Sequence, residues 1–232
     1  MATTTKTEND APTANLAAGG EALSRAREKT VDARGASTRE QLVRHAQTLI
    51  RKRGCNGFSY RDLAEEIGVK TASIHYHFPV KDDLLFEALE DYLARTIEVL
   101  HDIESRTADP RERLLIYSAR VSGAPDGQVC LCGMLSADFA SLSERLRHSL
   151  QRMYGVHERW LAGVVEAGTR LGTLRGSADP QADGRWLYSA LQGALLSSRL
   201  FGSVSRVRDV VNAMLVEPLA ADDPAGPTDA PR

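Results

Sequence analysis

The stretch FSYRDLAEEIGVKTASIHYHFPVKDDLL, residues 58–85, contains two short helical patterns that are joined by a glycine-containing turn. Ser59 and Asp62 have the S-x-x-D spacing of a capping box, in which each side chain accepts a hydrogen bond from the other residue's backbone amide. Gly68 suits the left-handed conformation that ends many helices. The stretch therefore predicts one short helix that ends before Gly68 and a second over about residues 71–77.

The second helix of this pair has a polar outer face. The apolar sides that fix the angle between the helices contain Leu63, Ala64, Ile67, Val69, Ile74 and Phe78. The outward positions are Lys70, Thr71, Ala72, Ser73, His75, Tyr76 and His77. A thin helix with such a face fits the major groove of DNA, which is about 12 Å wide. Two short helices with these properties are typical of a helix-turn-helix.

The charge of the chain is divided unevenly along the sequence. Residues 37–81 contain eight Lys/Arg and four Asp/Glu, a net charge of +4, whereas residues 82–232 have a net charge of −6. A basic segment next to an acidic remainder is typical of a DNA-binding head on a body that stays off DNA. Chance fluctuation of local charge would give the same division, so charge alone leaves both interpretations open.

Helical patterns continue on both sides of this segment. Ser37 can cap a helix that ends at Arg53, and a long amphipathic helix begins at Lys81. Further helices are predicted over residues 110–122, 129–141, 143–171, 180–201 and 204–218. Because no stretch shows the period-two alternation of strands, the predicted fold is all-α, with an N-terminal three-helix head followed by a larger helical domain.

Composition and motifs argue against several classes of protein. The chain is 42% hydrophobic and 26% charged, which is ordinary for a globular protein. No apolar run approaches the roughly 18 residues that span a bilayer, so we expect no membrane partner. The three cysteines, an odd count, and the polar residues 1–20 favour a reducing, cytoplasmic location. The common nucleotide-binding, hydrolase and zinc-peptidase motifs are absent from the sequence, so we expect no enzyme activity, no cofactor and no metal.

Residues 58–85 closely resemble the DNA-binding signature of the TetR/AcrR family of bacterial transcriptional regulators. The D-L-A-E-x-x-G-V helix, the Y-x-H-F end and the following K-D-x-L occur in the family's order and spacing. The resemblance implies a ligand-responsive regulator, most often a homodimeric repressor that binds a palindromic operator and is released by a small-molecule effector. With the polar ends of the chain, it predicts a disordered tail over residues 1–36, a helix-turn-helix domain over 37–82, an effector-binding and dimerisation domain over 83–218, and a disordered tail over 219–232.

The resemblance also implies roles in DNA binding, position by position. The residues implied in base contacts are those at the start of the second helix: Thr71, Ala72 and Ser73. The resemblance implies phosphate contacts for Tyr76, His77 and Lys81. It also implies them at the start of the preceding helix, for Ser59, Tyr60 and Arg61. Lys70 suits either role. His75 stands where the family commonly has another aromatic residue, which would alter base preference or make DNA binding weakly dependent on pH.

The resemblance places effector binding and dimerisation in the second domain. The homodimer contact is implied for the helices over about residues 180–218, where small residues and leucines are interspersed, although an intrachain core would use the same residues. The effector candidates are inward polar or aromatic residues of the middle helices: Tyr92, Tyr117, Arg120, Met134, Phe139, Met153, Trp160 and Trp186. Core packing is the alternative for each. The modest polarity of the set favours an apolar or aromatic effector.

Cys130 and Cys132 lie at the predicted start of a helix, where the helix dipole can lower the pKa of a thiol. Similar short segments occur in family members that sense electrophiles, so a thiol-based electrophile or redox sensor is one alternative, beside simple apolar packing. A C-x-C pair on a helix points in nearly opposite directions, which argues against a shared metal.

A further alternative is a sequence-nonspecific architectural DNA-binding protein, which would bind with a steep salt dependence and little sequence preference.

Overall fold

The computed structural model describes residues 37–122, 128–203 and 205–217. The helices are α1 (Thr38–Arg53), α2 (Tyr60–Ile67), α3 (Thr71–His77), α4 (Lys81–Arg106), α5 (Pro110–Ser122), α6 (Leu131–Ala137), α7 (Glu144–Arg170), α8 (Pro180–Phe201) and α9 (Ser205–Met214), with a 3₁₀ turn at Phe139–Ser141. The described ranges contain no strand and one isolated antiparallel bridge, between Leu174 and Leu215. The prediction of an all-α fold is confirmed. None of the described helices combines the length and the apolar composition that a bilayer span requires.

Local capping signals set the ends of the long helices. The Ser143 hydroxyl accepts a hydrogen bond from the Leu146 amide at 3.4 Å and begins α7. The Asp179 carboxylate accepts from the first free amides of α8, and Pro180 occupies the first helical position, where its missing N–H costs nothing. Gly202, with a φ of 63°, ends α8. These two helices agree with the predicted ranges to within one residue.

The helix predicted over residues 129–141 is shorter in the structure. Helix α6 ends at Ala137, and the Asp138 carboxylate accepts a hydrogen bond from the backbone amide of Cys55 at 2.7 Å. This long-range hydrogen bond turns the chain at a point where the local pattern predicts that the helix continues.

The last helix also ends before the predicted residue 218. The Met214 carbonyl oxygen, at the end of α9, accepts a hydrogen bond from the Arg175 amide at 2.7 Å, and the Val216 amide donates to Thr173. The chain after Met214 therefore pairs with the α7–α8 connection instead of continuing as a helix. The predicted tails, 1–36 and 219–232, lie outside the described residues, as do residues 204 and 218.

Helices α1 to α3 and the start of α4 enclose one apolar core. Leu42, Leu49 and Leu84 are fully buried there. Of the inward positions predicted for α2 and α3, four are buried, Leu63, Ala64, Ile74 and Phe78, and two are half-buried, Ile67 and Val69. The same cluster continues into α6 and the first half of α7 through Leu131, Leu135 and Leu146. The helix-turn-helix segment thus packs directly on the helices that follow it.

A second core forms around α7 and α8. Gly184 of α8 stands against α7, where an added Cβ would lie 2.3 Å from the carbonyl oxygen of Glu158. Only a glycine allows the two backbones to approach this closely. Leu161 and Val165 of α7 and Leu187 of α8 belong to this core.

Candidate functional site

Helix α2 begins with the capping box that the sequence predicts. The Ser59 hydroxyl accepts a hydrogen bond from the Asp62 amide at 3.3 Å, and Asp62 Oδ2 accepts from the Ser59 amide at 2.7 Å. Hydrogen bonds from the hydroxyl and the amide of Ser59 lower the pKa of the Asp62 carboxyl. Gly68 ends the helix with a φ of 77°, in the region that favours glycine. The two ends of α2 therefore fix the direction in which α3 leaves.

Helix α3 presents the predicted outward face to solvent. Ile74 is fully buried and anchors the helix, whereas Tyr76 is 83% exposed. The remaining exposed positions are Lys70, Thr71, Ala72 and His75, with Ser73 and His77 half-buried. The exposed face is confirmed, and the base and phosphate contacts of these residues stay predictions. Ser59 and Arg61 are also exposed.

Tyr60 is buried, unlike the other residues expected at phosphates. Its hydroxyl donates a hydrogen bond to the Phe78 carbonyl oxygen at 2.8 Å, and its ring meets the edge of His75 at 4.8 Å between centroids. Burial, and then the charge of Asp83, raises the pKa of Tyr60 to about 12. Tyr60 therefore ties the start of α2 to the end of α3, and its phosphate contact stays a prediction.

Lys81 also has partners within the chain. Its Nζ donates to the carbonyl oxygens of Cys55 at 2.6 Å and Phe58 at 2.5 Å, and it lies 4.1 Å from the centre of the Phe58 ring. Burial lowers the pKa of the ammonium. These contacts hold the start of α4 on the α1–α2 turn, a role that the sequence analysis did not predict. The phosphate contact of Lys81 stays a prediction.

Three hydrogen bonds join the end of α1 to the segment around α6. Arg51 Nε donates to the Val129 carbonyl oxygen at 3.0 Å, and the Val129 amide donates back to the Arg51 carbonyl oxygen at 3.3 Å. The Cys55 amide donates to Asp138 Oδ2 at 2.7 Å. We call these contacts the α1–α6 bridge. The bridge links the helix-turn-helix segment to both ends of α6.

A cavity of about 350 Å³ lies among α4, α5, α7 and α8 and reaches the end of α1. Its lining residues are Arg51, Tyr92, Arg95, Thr96, Val99, Leu100, Tyr117, Arg120, Val121, Cys130, His157, Tyr188 and Gln192. Three of the effector candidates, Tyr92, Tyr117 and Arg120, come together here. Cys130 of the thiol pair joins them.

The other effector candidates lie elsewhere. Met153 is fully buried in the core, and Trp160 lines a separate shallow cleft, where its Nε1 donates to Glu104 at 3.0 Å. Phe139 and Trp186 are about half exposed, at 51% and 54%. Met134 is half-buried beside Arg199. The structure therefore does not bring these five residues into the cavity.

His157 is the cavity residue that sequence reasoning missed most clearly. Its Nδ1 lies 2.9 Å from the Tyr117 hydroxyl, and its ring stacks on Tyr188 with the centroids 4.7 Å apart. Burial lowers the pKa of His157 to about 4, so the ring is neutral. Within the described residues its Nε2 has no hydrogen-bond partner. The sequence contains one sign of this role, because His157 interrupts the apolar stripe that Met153 and Leu161 form on α7.

The thiols of Cys130 and Cys132 influence each other's pKa. A hydrogen bond from the Cys132 thiol, followed by one from Gln192, lowers the pKa of Cys130 despite its burial. Cys130 is the N-cap of α6, with a φ of −56° and a ψ of 132°, and so stands outside the helix that contains Cys132. Cys130 precedes α6 and is not within it, so the expectation for a C-x-C pair on a helix does not apply to these two residues. The described residues contain no group of three side chains that could hold a metal ion.

Helix α8 carries an exposed apolar stripe. Trp186, Gly193, Leu196 and Leu200 follow one another at helical spacing, and Leu200 is 78% exposed. An added Cβ at Gly193 would meet no atom within 4 Å. Other residues expected at the dimer contact are buried within the chain: Leu191, Ala194, Leu195, Ser198, Val207, Val211 and Met214. The predicted dimer segment therefore contains both an intrachain core and a free apolar surface.

Two family models match this chain. Residues 42–88 match the family described as bacterial regulatory proteins, tetR family. Residues 116–214 match the family described as tetracyclin repressor-like, C-terminal domain. The first match covers the helix-turn-helix, and the second covers most of the cavity walls and the exposed stripe of α8.

Relatives and solved structures agree with these matches. The HTH-type transcriptional repressor DhaR of Mycobacterium sp. (strain GP1) is 28% identical over 169 residues, 70% of this chain and 82% of the relative. The HTH-type transcriptional regulatory protein RaaS of Mycobacterium tuberculosis is 30% identical over 160 residues, 67% of this chain and 71% of the relative. A TetR-family regulator from Agrobacterium tumefaciens superposes with a TM-score of 0.70 at 26% identity, covering 77% of this chain and 97% of that one. The chain therefore belongs to the TetR family of bacterial transcriptional regulators.

Proposed function

We propose that this chain is a homodimeric repressor that binds a palindromic operator and is released when a small-molecule effector fills the cavity. Residues 37–82 form the DNA-binding domain in this proposal, and residues 83–218 bind the effector and the partner subunit. The observation that carries the proposal is the α1–α6 bridge, because it connects the cavity wall to the helix-turn-helix. Activation instead of repression would need only a different promoter geometry.

The exposed face of α3 supports operator binding. Its small side chains allow the helix backbone to come close to base edges, and the surrounding segment is basic. The relative DhaR is named a transcriptional repressor. In a two-fold dimer the two α3 helices would enter successive major grooves about 34–36 Å apart, or a multiple of this distance.

The cavity supports release by an effector. Arg51 belongs both to the cavity wall and to the α1–α6 bridge, and Cys130 follows the bridge residue Val129 directly. An effector that moves this wall changes the position of α1, and with it the spacing of the two α3 helices. Operator and effector would then bind with negative coupling, typically about 1–3 kcal/mol.

The exposed stripe of α8 supports the homodimer. Stripes of large apolar side chains with a glycine at their centre let two helices approach closely. Two copies that pair through this stripe about a two-fold axis would form an isologous contact.

The proposal is tested by operator release. An operator is first selected from random DNA with the purified protein, and fluorescence anisotropy then follows binding while a library of small metabolites is added. We expect that compounds that raise the melting temperature of the free protein also weaken operator binding. If compounds that stabilise the protein leave its operator affinity unchanged, the proposal is contradicted.

The thiol pair favours a second candidate, a regulator that senses electrophiles. The pKa of Cys130 is lowered, and Cys130 lines the cavity. A Cys130 thiolate could add to the β-carbon of an α,β-unsaturated carbonyl compound, forming a C–S bond while the α-carbon takes up a proton. The reaction would place the adduct next to the α1–α6 bridge.

Cys130→Ser separates this candidate from the first. If the thiol is the sensor, N-ethylmaleimide releases the wild-type protein from its operator and does not release Cys130→Ser, while both bind the operator equally without the reagent. Cys55→Ser, at a buried thiol in the helix-turn-helix segment, is the control and should respond as the wild type does. An equal response of Cys130→Ser and wild type removes the thiol from the mechanism.

A further inference from the structure

We infer that the effector is a compact organic carboxylate and that Arg51 is the counter-ion of its carboxylate group. This inference rests on the proposed function and names the chemical class of ligand for the same cavity. It differs from the apolar or aromatic effector expected from the sequence, because most residues behind that expectation lie outside the cavity.

The charge of the cavity wall is the first argument. Arg51, Arg95 and Arg120 line the cavity, and the described lining residues include no aspartate or glutamate. An anionic ligand would therefore meet no lining carboxylate that repels it, and any arginine of the wall that lacks a carboxylate partner would attract it.

Arg51 differs from the other two arginines in its partners. Arg95 and Arg120 each pair with a carboxylate of their own surroundings, from Asp91 and Asp102. Arg51 uses Nε on the Val129 carbonyl oxygen, and the described residues give its two terminal nitrogens no partner. A half-buried guanidinium with free terminal nitrogens can bind a carboxylate through charge-assisted hydrogen bonds. An anionic ligand would therefore complete the hydrogen bonding of Arg51.

The other lining residues indicate the size and polarity of the ligand. Val99, Leu100 and Val121 offer apolar surface, and the volume of about 350 Å³ lies at the small end of ligand pockets. His157 is 6% exposed, and its Nε2 has no partner within the described residues. A buried polar atom of this kind costs stability until it is paired, so we expect one neutral polar group of the ligand to pair with it. The ligand is thus a small apolar molecule with a carboxylate and one further polar atom.

The position of Arg51 connects this chemistry to DNA binding. Arg51 lies in the last turn of α1 and holds Val129 through its Nε and its carbonyl oxygen. A carboxylate on the terminal nitrogens would pull the same side chain toward the cavity. Arg51 therefore both recognises the ligand and transmits its binding to the helix-turn-helix.

A matched pair of probes tests the inference. 2-Naphthoate and 2-naphthamide have the same bicyclic body and differ in the charge of one substituent. Isothermal titration calorimetry measures the affinity of each for the wild type and for Arg51→Gln. Lys52→Gln is the control, because it removes one positive charge from the neighbouring position outside the cavity wall. Thr96→Trp fills the cavity and shows whether the probes bind there.

We expect the wild type and Lys52→Gln to bind 2-naphthoate more tightly than 2-naphthamide by about ten- to one-hundred-fold, the effect of hydrogen bonds to a charged group. Arg51→Gln should lose this preference, and Arg51→Lys, which keeps the charge without the planar fork, should keep part of it. Thermal melting confirms that each variant is folded. If Arg51→Gln does not fold, the comparison of Arg51→Lys with Lys52→Gln decides, and equal affinity for 2-naphthoate overturns the inference.

The other outcomes separate the inference from the proposed function. If 2-naphthamide binds as tightly as 2-naphthoate and releases the operator, the carboxylate inference is overturned and the proposed function stands. If the preference for 2-naphthoate persists in Arg51→Gln, Arg51 is not the counter-ion. If neither probe binds, the carboxylate inference is overturned and the proposed function stands. If Thr96→Trp binds both probes unchanged, the cavity is not the ligand site, and the cavity-based mechanism of release is overturned as well.

Discussion

Small hydroxyl side chains stand at the start of α3, where Thr71 is exposed and Ser73 is half-buried. A hydroxyl can donate to or accept from any base edge that it reaches. We predict that Thr71→Ala and Ser73→Ala each weaken operator binding by about 1–3 kcal/mol and relax the base preference at one position. Competition between operator variants with single base changes measures both effects. An unchanged base preference would remove the substituted residue from the set that reads the sequence.

His157 should make the stability of the protein depend on pH. Its pKa falls from 6.5 in the unfolded chain to about 4 in the fold because of burial. Between these values the unfolded chain binds a proton that the folded chain does not, so stability decreases as the pH falls from about 6.5 toward 4. The full loss is on the order of 3 kcal/mol.

Urea unfolding between neutral and mildly acidic pH measures this loss. His157→Gln removes the titrating group, so the variant should be less stable at neutral pH and lose less stability on acidification. His101→Gln, at an exposed histidine of α4, is the control and should keep the wild-type dependence. If His157→Gln and the wild type lose equal stability over this range, His157 does not titrate as its burial indicates.

The α1–α6 bridge should stabilise the fold and couple ligand binding to operator binding. Asp138→Ala removes the acceptor of the Cys55 amide and leaves this donor without a partner. We predict a loss of about 1–3 kcal/mol in the free energy of unfolding and weaker coupling between ligand and operator. Asp138→Asn keeps an acceptor and should lose less.

Ser105→Ala is the control for this element, because it removes an exposed hydrogen bond to the Asp102 carbonyl oxygen within α4, away from the bridge. Urea unfolding gives the stability of each variant, and anisotropy gives its operator affinity with and without ligand. Stability and coupling that are the same in Asp138→Ala and Ser105→Ala would show that the Asp138 contact has no special role.

The ends of elements show what local sequence can predict. The ends of α2 follow from the capping box at Ser59 and from Gly68, signals that lie within the helix and its neighbours. The ends of α6 and α9 depend on hydrogen bonds to Cys55 and Arg175, which are distant in sequence. Local patterns contain no information about such partners, so the predicted helices continue too far.

At the scale of the whole molecule, the exposed face of α3 was predictable and the cavity was not. The exposed residues of α3 lie within one short segment, so helical period and polarity are enough to predict them. The cavity instead combines residues from α1, α4, α5, α7 and α8, whose side chains meet only after the helices have packed. The type of Tyr117 and its inward position on a middle helix predict a role in ligand binding, whereas Gln192 becomes a cavity residue only through packing.

The dimer belongs to the same scale. Leu200→Glu places a charge on the exposed stripe of α8, and burying that charge in a dimer contact costs free energy. We predict that sedimentation velocity gives a dimer for the wild type and a monomer for Leu200→Glu. Leu171→Glu is the control, because Leu171 is a similarly exposed leucine outside the stripe, and it should stay dimeric. A dimeric Leu200→Glu would place the contact elsewhere.

In the proposed function, two copies of α3 read a two-fold-symmetric site on DNA. Its most direct test is a footprint of the purified protein on the operator selected from random DNA, at about 50 mM and about 200 mM salt. We predict a protected two-fold-symmetric site whose halves lie about 34–36 Å apart or a multiple of that distance, and whose protection survives the higher salt. Protection that ignores sequence and disappears at the higher salt would contradict it.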